Sequence, residues 1–164
     1  MELAVFNQLS ADDAIASIAH CVAIPAWQQA LAAARPYTSL DALLAEGDRL
    51  ARQWQGTDLQ LALSAHPRIG DRVSGASKEA SLSRGEQSAM QQADNTLQQA
   101  MLQGNQRYEA RFGRVFLIRA KGRSGEEMLA ELQRRLGNDP QSEQQEALDQ
   151  LREITLLRLK ESMA

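Results

Sequence analysis

The chain has 164 residues, a length that suits one domain, and Ala (26), Leu (22) and Gln (18) dominate it, while Val, Ile and Thr together number 14 and the aromatics 7. Ala and straight-chain residues lose little rotamer freedom in a helix, whereas sheets favour β-branched and aromatic side chains, so the composition argues for an all-α fold and against a sandwich, a barrel or a Rossmann sheet. A net charge of −3 without a basic arm argues against a nucleic-acid partner, the single cysteine (Cys21) excludes an intramolecular disulfide framework and argues against a thiolate metal cluster, and no apolar run approaches a membrane span.

The N-terminal Met1-Glu2-Leu3-Ala4 lacks the basic start and long apolar stretch of a signal peptide, and the final Glu161-Ser162-Met163-Ala164 is not a peroxisomal address. A soluble cytoplasmic protein is the expectation. Ser10 followed by Asp12 and Asp13 predicts an N-cap with acids in the first turn. Ala14, Ile15, Ile18, Ala19 and Val22 then form a helical stripe, with His20 and Cys21 inside it. Pro25 suits the first position of a second helix carrying Trp27 and Leu31 and stopping before Pro36. Ser39 caps a third, with Leu40, Leu43, Leu44, Leu50 and Trp54 on one face and Gly47 interrupting the pattern. Thr57 to Gln60 reads as a capping box for a short helix ending near Ala65.

From His66 to Leu82 the rhythm breaks: Pro67, Gly70, Gly75 and several serines predict a long loop, a feature that is uncommon in compact domains and often functional. Ser83-Arg84-Gly85-Glu86 is again a capping-box pattern. It predicts a long helix with Ala89, Met90, Ala93, Leu97 and Met101 inward, ending near Gly104, followed by a short helix from Asn105 to Phe112 that stops at Gly113. The Gln-rich stretch from Gln91 to Gln106 reads as the polar face of that helix. Val115 to Ile118 is a concentrated apolar run, extended or a buried turn. Ser124 caps a helix carrying Met128, Leu132 and Leu136 and closed by Gly137; after Pro140 a last helix presents Ala147, Leu148, Leu151, Ile154 and Thr155.

Few residues are candidates for chemistry. His66 stands at a helix end, before a proline and close to Arg68 and Asp71, which can tune its pKa in opposite directions; equally, a helix-terminal histidine can be held by the helix dipole alone. Glu86 either bonds back to Ser83 as a cap or does proton work beside first-turn amides that suit an anionic ligand. No paired-histidine zinc motif, phosphate loop or nucleophile elbow occurs, so neither metal nor nucleotide chemistry is suggested.

Several segments together are more specific than any one. They are Phe6-Asn7; Cys21 and Trp27; Arg35-Pro36-Tyr37; His66-Pro67-Arg68-Ile69-Gly70; Ser83 with Glu86-Gln87; Asn105 with Tyr108-Glu109-Ala110-Arg111-Phe112-Gly113; and Arg134-Arg135-Leu136-Gly137-Asn138. In this order the chain resembles the 2-oxo-4-hydroxy-4-carboxy-5-ureidoimidazoline (OHCU) decarboxylases of urate breakdown, from Phe6 to Leu159. The resemblance implies one compact multi-helix domain over residues 1–164 with a functional loop after His66. It also implies a homodimer without cofactor or metal, and the decarboxylation of OHCU to (S)-allantoin by a carboxy-lyase. It places the catalytic pair on His66 and Glu86. Substrate contacts fall on Pro67, on Ser83, Arg84, Gly85 and Gln87, on Phe116, Leu117, Ile118, Arg119 and Ala120, and on Arg158. One departure is Arg114-Val115 where the family often has Phe-Pro. The competing readings are a non-enzymatic helical interaction module and the preceding hydrolysis of 5-hydroxyisourate. The β-rich scaffold of the known hydrolases does not suit this composition.

Overall fold

The computed structural model describes residues 1–64 and 94–163. Among them are eight α-helices and no strand, so the all-α expectation holds. They are α1 (Leu3–Gln8), α2 (Ala11–Ile18), α3 (Pro25–Ala33), α4 (Leu40–Ala51), α5 (Gly56–Leu63), α6 (Asn95–Phe112), α7 (Gly125–Arg135) and α8 (Pro140–Ser162). The chain divides into two compact units, Met1–Ala62 with Arg152–Ala164, and Leu63–Leu151. No helix among the described residues is long and apolar enough to cross a membrane.

In the first unit, α1 packs on α2, α2 on α3, and α3 on α4. The Ser10 hydroxyl accepts from the Asp13 amide at 3.1 Å and the Ser39 hydroxyl from Ala42 at 3.0 Å, so both expected caps form. Helix α2 stops at Ile18, short of the expected stripe, and His20 and Cys21 lie in the turn beyond it. Helix α4 runs through Gly47 because the site needs the missing side chain. A Cβ there would meet Leu159 Cδ2 at 3.2 Å, and Trp27 Nε1 donates to the Gly47 carbonyl at 3.0 Å. Helix α1 carries no N-cap side chain and so left little signal; it is tied down by tertiary contacts. Asn7 exchanges two hydrogen bonds with the backbone of Tyr37, each 2.9 Å, and Arg35 donates to the Phe6 and Leu9 carbonyls at 2.7 and 2.8 Å. The cap of α5 differs from the expected box. The Asp58 carboxylate reaches back to the Gln55 amide at 2.9 Å, so the helix starts ahead of Thr57.

In the second unit, α6 packs against α7 around Met101, Tyr108, Phe116, Ile118, Met128 and Leu132. The expected break at Gly104 does not occur: one helix spans Asn95–Phe112, capped by Asp94, whose carboxylate accepts from the Leu97 amide at 2.8 Å. Gly104 is a contact glycine rather than a stop, since a Cβ there would sit 2.5 Å from Leu132 Cδ2. The true stop is Gly113, left-handed at φ 72°. Ser124 caps α7, accepting from Glu127 at 3.1 Å, as its spacing suggests. The expected loop after His66 and the helix start at Ser83 lie outside the described residues.

Candidate active site

Of the candidate residues, His66, Pro67, Ser83, Arg84, Gly85, Glu86 and Gln87 lie outside the described residues. The structure places the other two groups, Phe116–Ala120 in the second unit and Arg158 in the first.

The stretch from Phe116 to Ala120 is non-helical and buried, with only Arg119 partly exposed. Buried backbone outside regular structure must find partners for its polar groups. Here side chains supply them. Arg135 Nη1 donates to the Leu117 carbonyl at 2.7 Å. The Arg119 amide donates to Gln150 Oε1 at 2.9 Å, and Arg123 Nε donates to the Arg119 carbonyl at 2.8 Å. The Arg119 guanidinium turns to the Lys121 carbonyl at 2.6 Å. Among the described residues, the amides of Ile118 and Ala120 have no such partner. Phe116 is fixed by an edge contact with Tyr108, centroids 5.2 Å apart, and by the Arg135 guanidinium 4.5 Å above its ring.

Arg135 belongs to an ion cluster that the sequence does not announce. Its Nη2 donates to Glu143 Oε2 at 2.6 Å and its Nε to both carboxylate oxygens at 3.0 Å, with the two side chains 1% and 0% exposed. Tyr108 Oη donates to the same carboxylate, and Asn138 Nδ2 donates to Oε1 at 3.2 Å. Burial, then the bond to Glu143, raises the pKa of the Tyr108 hydroxyl, which keeps it protonated as a donor. Arg134 bridges Glu131 and Glu146 at the rim, at 2.7 and 2.6 Å, and Arg111 donates to the Asn138 carbonyl at 2.7 Å. Glu143 missed notice because a glutamate in the first turn of a helix is ordinary. At the point of departure from the family pattern, Arg114 lies over Phe112 at 5.8 Å, and its Nε and Nη2 are buried without a hydrogen-bond partner among the described residues.

Arg158 is 1% exposed, and its Nη1 donates to the His20 carbonyl at 3.3 Å. The Ser162 hydroxyl donates to the Arg158 carbonyl at 2.9 Å, which leaves His20 Nε2 as the donor to Ser162 Oγ at 2.6 Å. His20 thus straps the end of α8 around Arg158, a structural role. Among the described residues, no three His, Cys, Asp or Glu side chains gather as a metal site.

The family model for OHCU decarboxylase matches residues 7–160. The chain belongs to the OHCU decarboxylase family. It is 29% identical to the 2-oxo-4-hydroxy-4-carboxy-5-ureidoimidazoline decarboxylase of Amia calva, covering 98% of this chain and 94% of that one. It is 36% identical to the uric acid degradation bifunctional protein TTL of Arabidopsis thaliana over 76% of this chain and 39% of the relative. The bifunctional protein of Bacillus sp. (strain TB-90) is 25% identical over 98% of this chain and 32% of its own length. The chain therefore spans only about a third of the length of these two bifunctional relatives. A crystal structure of OHCU decarboxylase in the presence of (S)-allantoin superposes with a TM-score of 0.74 at 25% identity, covering 88% of this chain and 95% of that one. The crystal structure of (S)-allantoin synthase, at 15% identity and TM-score 0.74 over 99% of this chain and 54% of that one, shares the fold.

Proposed function

We propose that this family member decarboxylates OHCU to (S)-allantoin in urate breakdown, with residues 1–164 acting as one functional domain. The family match across residues 7–160 carries the reading, and a relative solved in the presence of (S)-allantoin supports it. Loss of CO2 breaks the bond between C4 and its carboxylate and leaves an electron pair that the ureidoimidazoline ring itself can take up. The reaction therefore runs without cofactor or metal. The protein orients the scissile carboxylate, stabilises charge on the ring oxygens and delivers one proton to one face.

In this reading Glu86 polarises the 4-hydroxyl, and His66 positions the carboxylate and shuttles the proton. Pro67, Ser83, Arg84, Gly85 and Gln87 line the substrate, and Arg158 supplies positive charge to its anionic end. The amides of Ile118 and Ala120 bind the oxygen of the ureido group, outside the ring. This last role is supported by their burial and by the absence of a protein partner among the described residues. The enzyme works as a homodimer in the cytoplasm.

The test is circular dichroism of allantoin formed from OHCU that urate oxidase and hydroxyisourate hydrolase generate in situ. Adding this protein speeds the appearance of the optically active product; an unchanged racemate refutes the reading. His66→Asn lowers kcat by about 10²- to 10⁴-fold, the usual contribution of general acid–base catalysis. Near-normal turnover by that variant removes His66 from the mechanism.

A further inference from the structure

Two of the segments that mark the family, Tyr108 to Gly113 and Arg134 to Asn138, contain no residue assigned to the chemistry. The structure brings both onto one carboxylate. Glu143 accepts from Tyr108, Arg135 and Asn138 in a site where both partners of the ion pair are fully buried. Burying an ion pair costs desolvation that the mutual attraction often only repays, and well-packed apolar residues of similar volume are often as stable. The cluster therefore calls for an output other than stability. One of its bonds leaves the cluster, from Arg135 Nη1 to the Leu117 carbonyl at 2.7 Å, and the same guanidinium covers the Phe116 ring. Both targets lie in the buried non-helical segment, which has side chains rather than a strand to hold it.

We infer that Arg135 is a positioning residue: it sets the place of the Phe116–Ala120 backbone through Leu117 and Phe116, while Glu143, Tyr108 and Asn138 fix the plane of its guanidinium. The inference rests on the assignment of that segment to substrate. A lysine cannot replace this arginine. The role uses three directions of one rigid group at once: a fork to a carboxylate, a separate donor to a carbonyl, and a flat face to a ring. The segment would hold parts of the substrate away from the bond that breaks. Its displacement therefore weakens ground-state and transition-state binding alike, which appears in KM.

The experiment compares wild type, Arg135→Lys and Tyr108→Phe by OHCU kinetics, and by amide NMR with (S)-allantoin as the titrant. In wild type, allantoin shifts the Ile118 and Ala120 amides; if it does not, the substrate assignment of the segment fails, and with it the inference. Given those shifts, Arg135→Lys raises KM and the allantoin dissociation constant about tenfold, with kcat within about threefold. Tyr108→Phe, which loosens Glu143 alone, raises both about twofold to threefold. A merely structural role lowers the folded fraction, and hence kcat, with KM unchanged. If Arg135→Lys folds and keeps wild-type KM and allantoin affinity, the inference is overturned. If it does not fold, Tyr108→Phe decides: a raised KM upholds the inference and an unchanged KM overturns it.

Discussion

The two units solve the same problem, burying polar side chains, in different ways. In the first unit buried polar groups address backbone. Asn7 pairs with the amide and carbonyl of Tyr37, Arg35 reaches the carbonyls of Phe6 and Leu9, Trp27 that of Gly47, and Gln28 that of Val22 at 2.8 Å. In the second unit they address each other, through the Arg135–Glu143 pair and its neighbours, and the bond from Arg135 to the Leu117 carbonyl ties that cluster to the backbone of the non-helical segment. Side-chain-to-carbonyl bonds tie short helices and turns together directly through the backbone. An ion pair costs more to bury, but it holds a group in one orientation, which is what a buried segment without a sheet requires.

The difference can be broken at its centre. Glu143→Ala leaves Arg135 buried without its counter-ion and should cost about 3–5 kcal/mol in urea unfolding, the usual cost of removing one partner of a buried pair. The double variant Arg135→Met, Glu143→Leu should recover most of that loss. If the double variant is as unstable as the single, the charges serve stability rather than position.

In the first unit the corresponding break is smaller. Asn7→Ala strips two hydrogen bonds from the half-buried backbone of Tyr37 and should cost about 1–3 kcal/mol by the same measurement. Gly104→Ala sharpens the account of the second unit. It gains about 1 kcal/mol of helix propensity but forces Leu132 aside at a cost of about 1–3 kcal/mol, so a net loss near 1 kcal/mol is expected. Adding Leu132→Ala should abolish the clash part of that loss, read as non-additivity in a double-mutant cycle.

The weakest effects are in pH. Burial, and then Glu46, push the Tyr37 hydroxyl from 10.0 up to about 12, and it donates to the Leu31 carbonyl at 2.6 Å. A folded pKa above the unfolded value means stability present below pH 10 and lost as pH rises from 10 towards 12. Thermal melts should show that loss, and Tyr37→Phe should flatten it. For the carboxylates paired with Arg134 in the second unit the sign is reversed. The hydrogen bonds from Arg134 hold Glu131 and Glu146 below 4.5, so their contribution is present above that pH and fades as pH falls further. Arg134→Gln should flatten the acid limb and leave the alkaline one alone.

Much of the fold was legible along the chain. Ser10, Ser39 and Ser124 cap where their spacing says they should, because a cap bonds two or three residues ahead and needs no distant partner. Pro25 starts a helix and Gly113 ends one for equally local reasons. Gly104 was misleading for the opposite reason, and Gly47 weakened the reading of a helix that does run through it. In isolation a glycine suggests a break, and only the neighbours that press on it, Leu159 and Leu132, show that it is there for space. The candidate site divides in the same way. The family resemblance pointed to Phe116–Ala120 and Arg158, whose side chains are buried except for the partly exposed Arg119. Glu143, the acceptor at the centre of the cluster around that segment, looked like a first-turn acid.

By itself, then, the sequence determined the helical class, most helix ends and the family, since these depend on side-chain entropy, local caps and motif order. Tertiary structure decided which charges are buried together and which backbone they hold. Tyr108, Arg135 and Glu143 lie on three different helices, α6, α7 and α8, so no period within one helix brings them together. Only packing removes water from all three at once, and the loss of water turns three ordinary surface residue types into one rigid group.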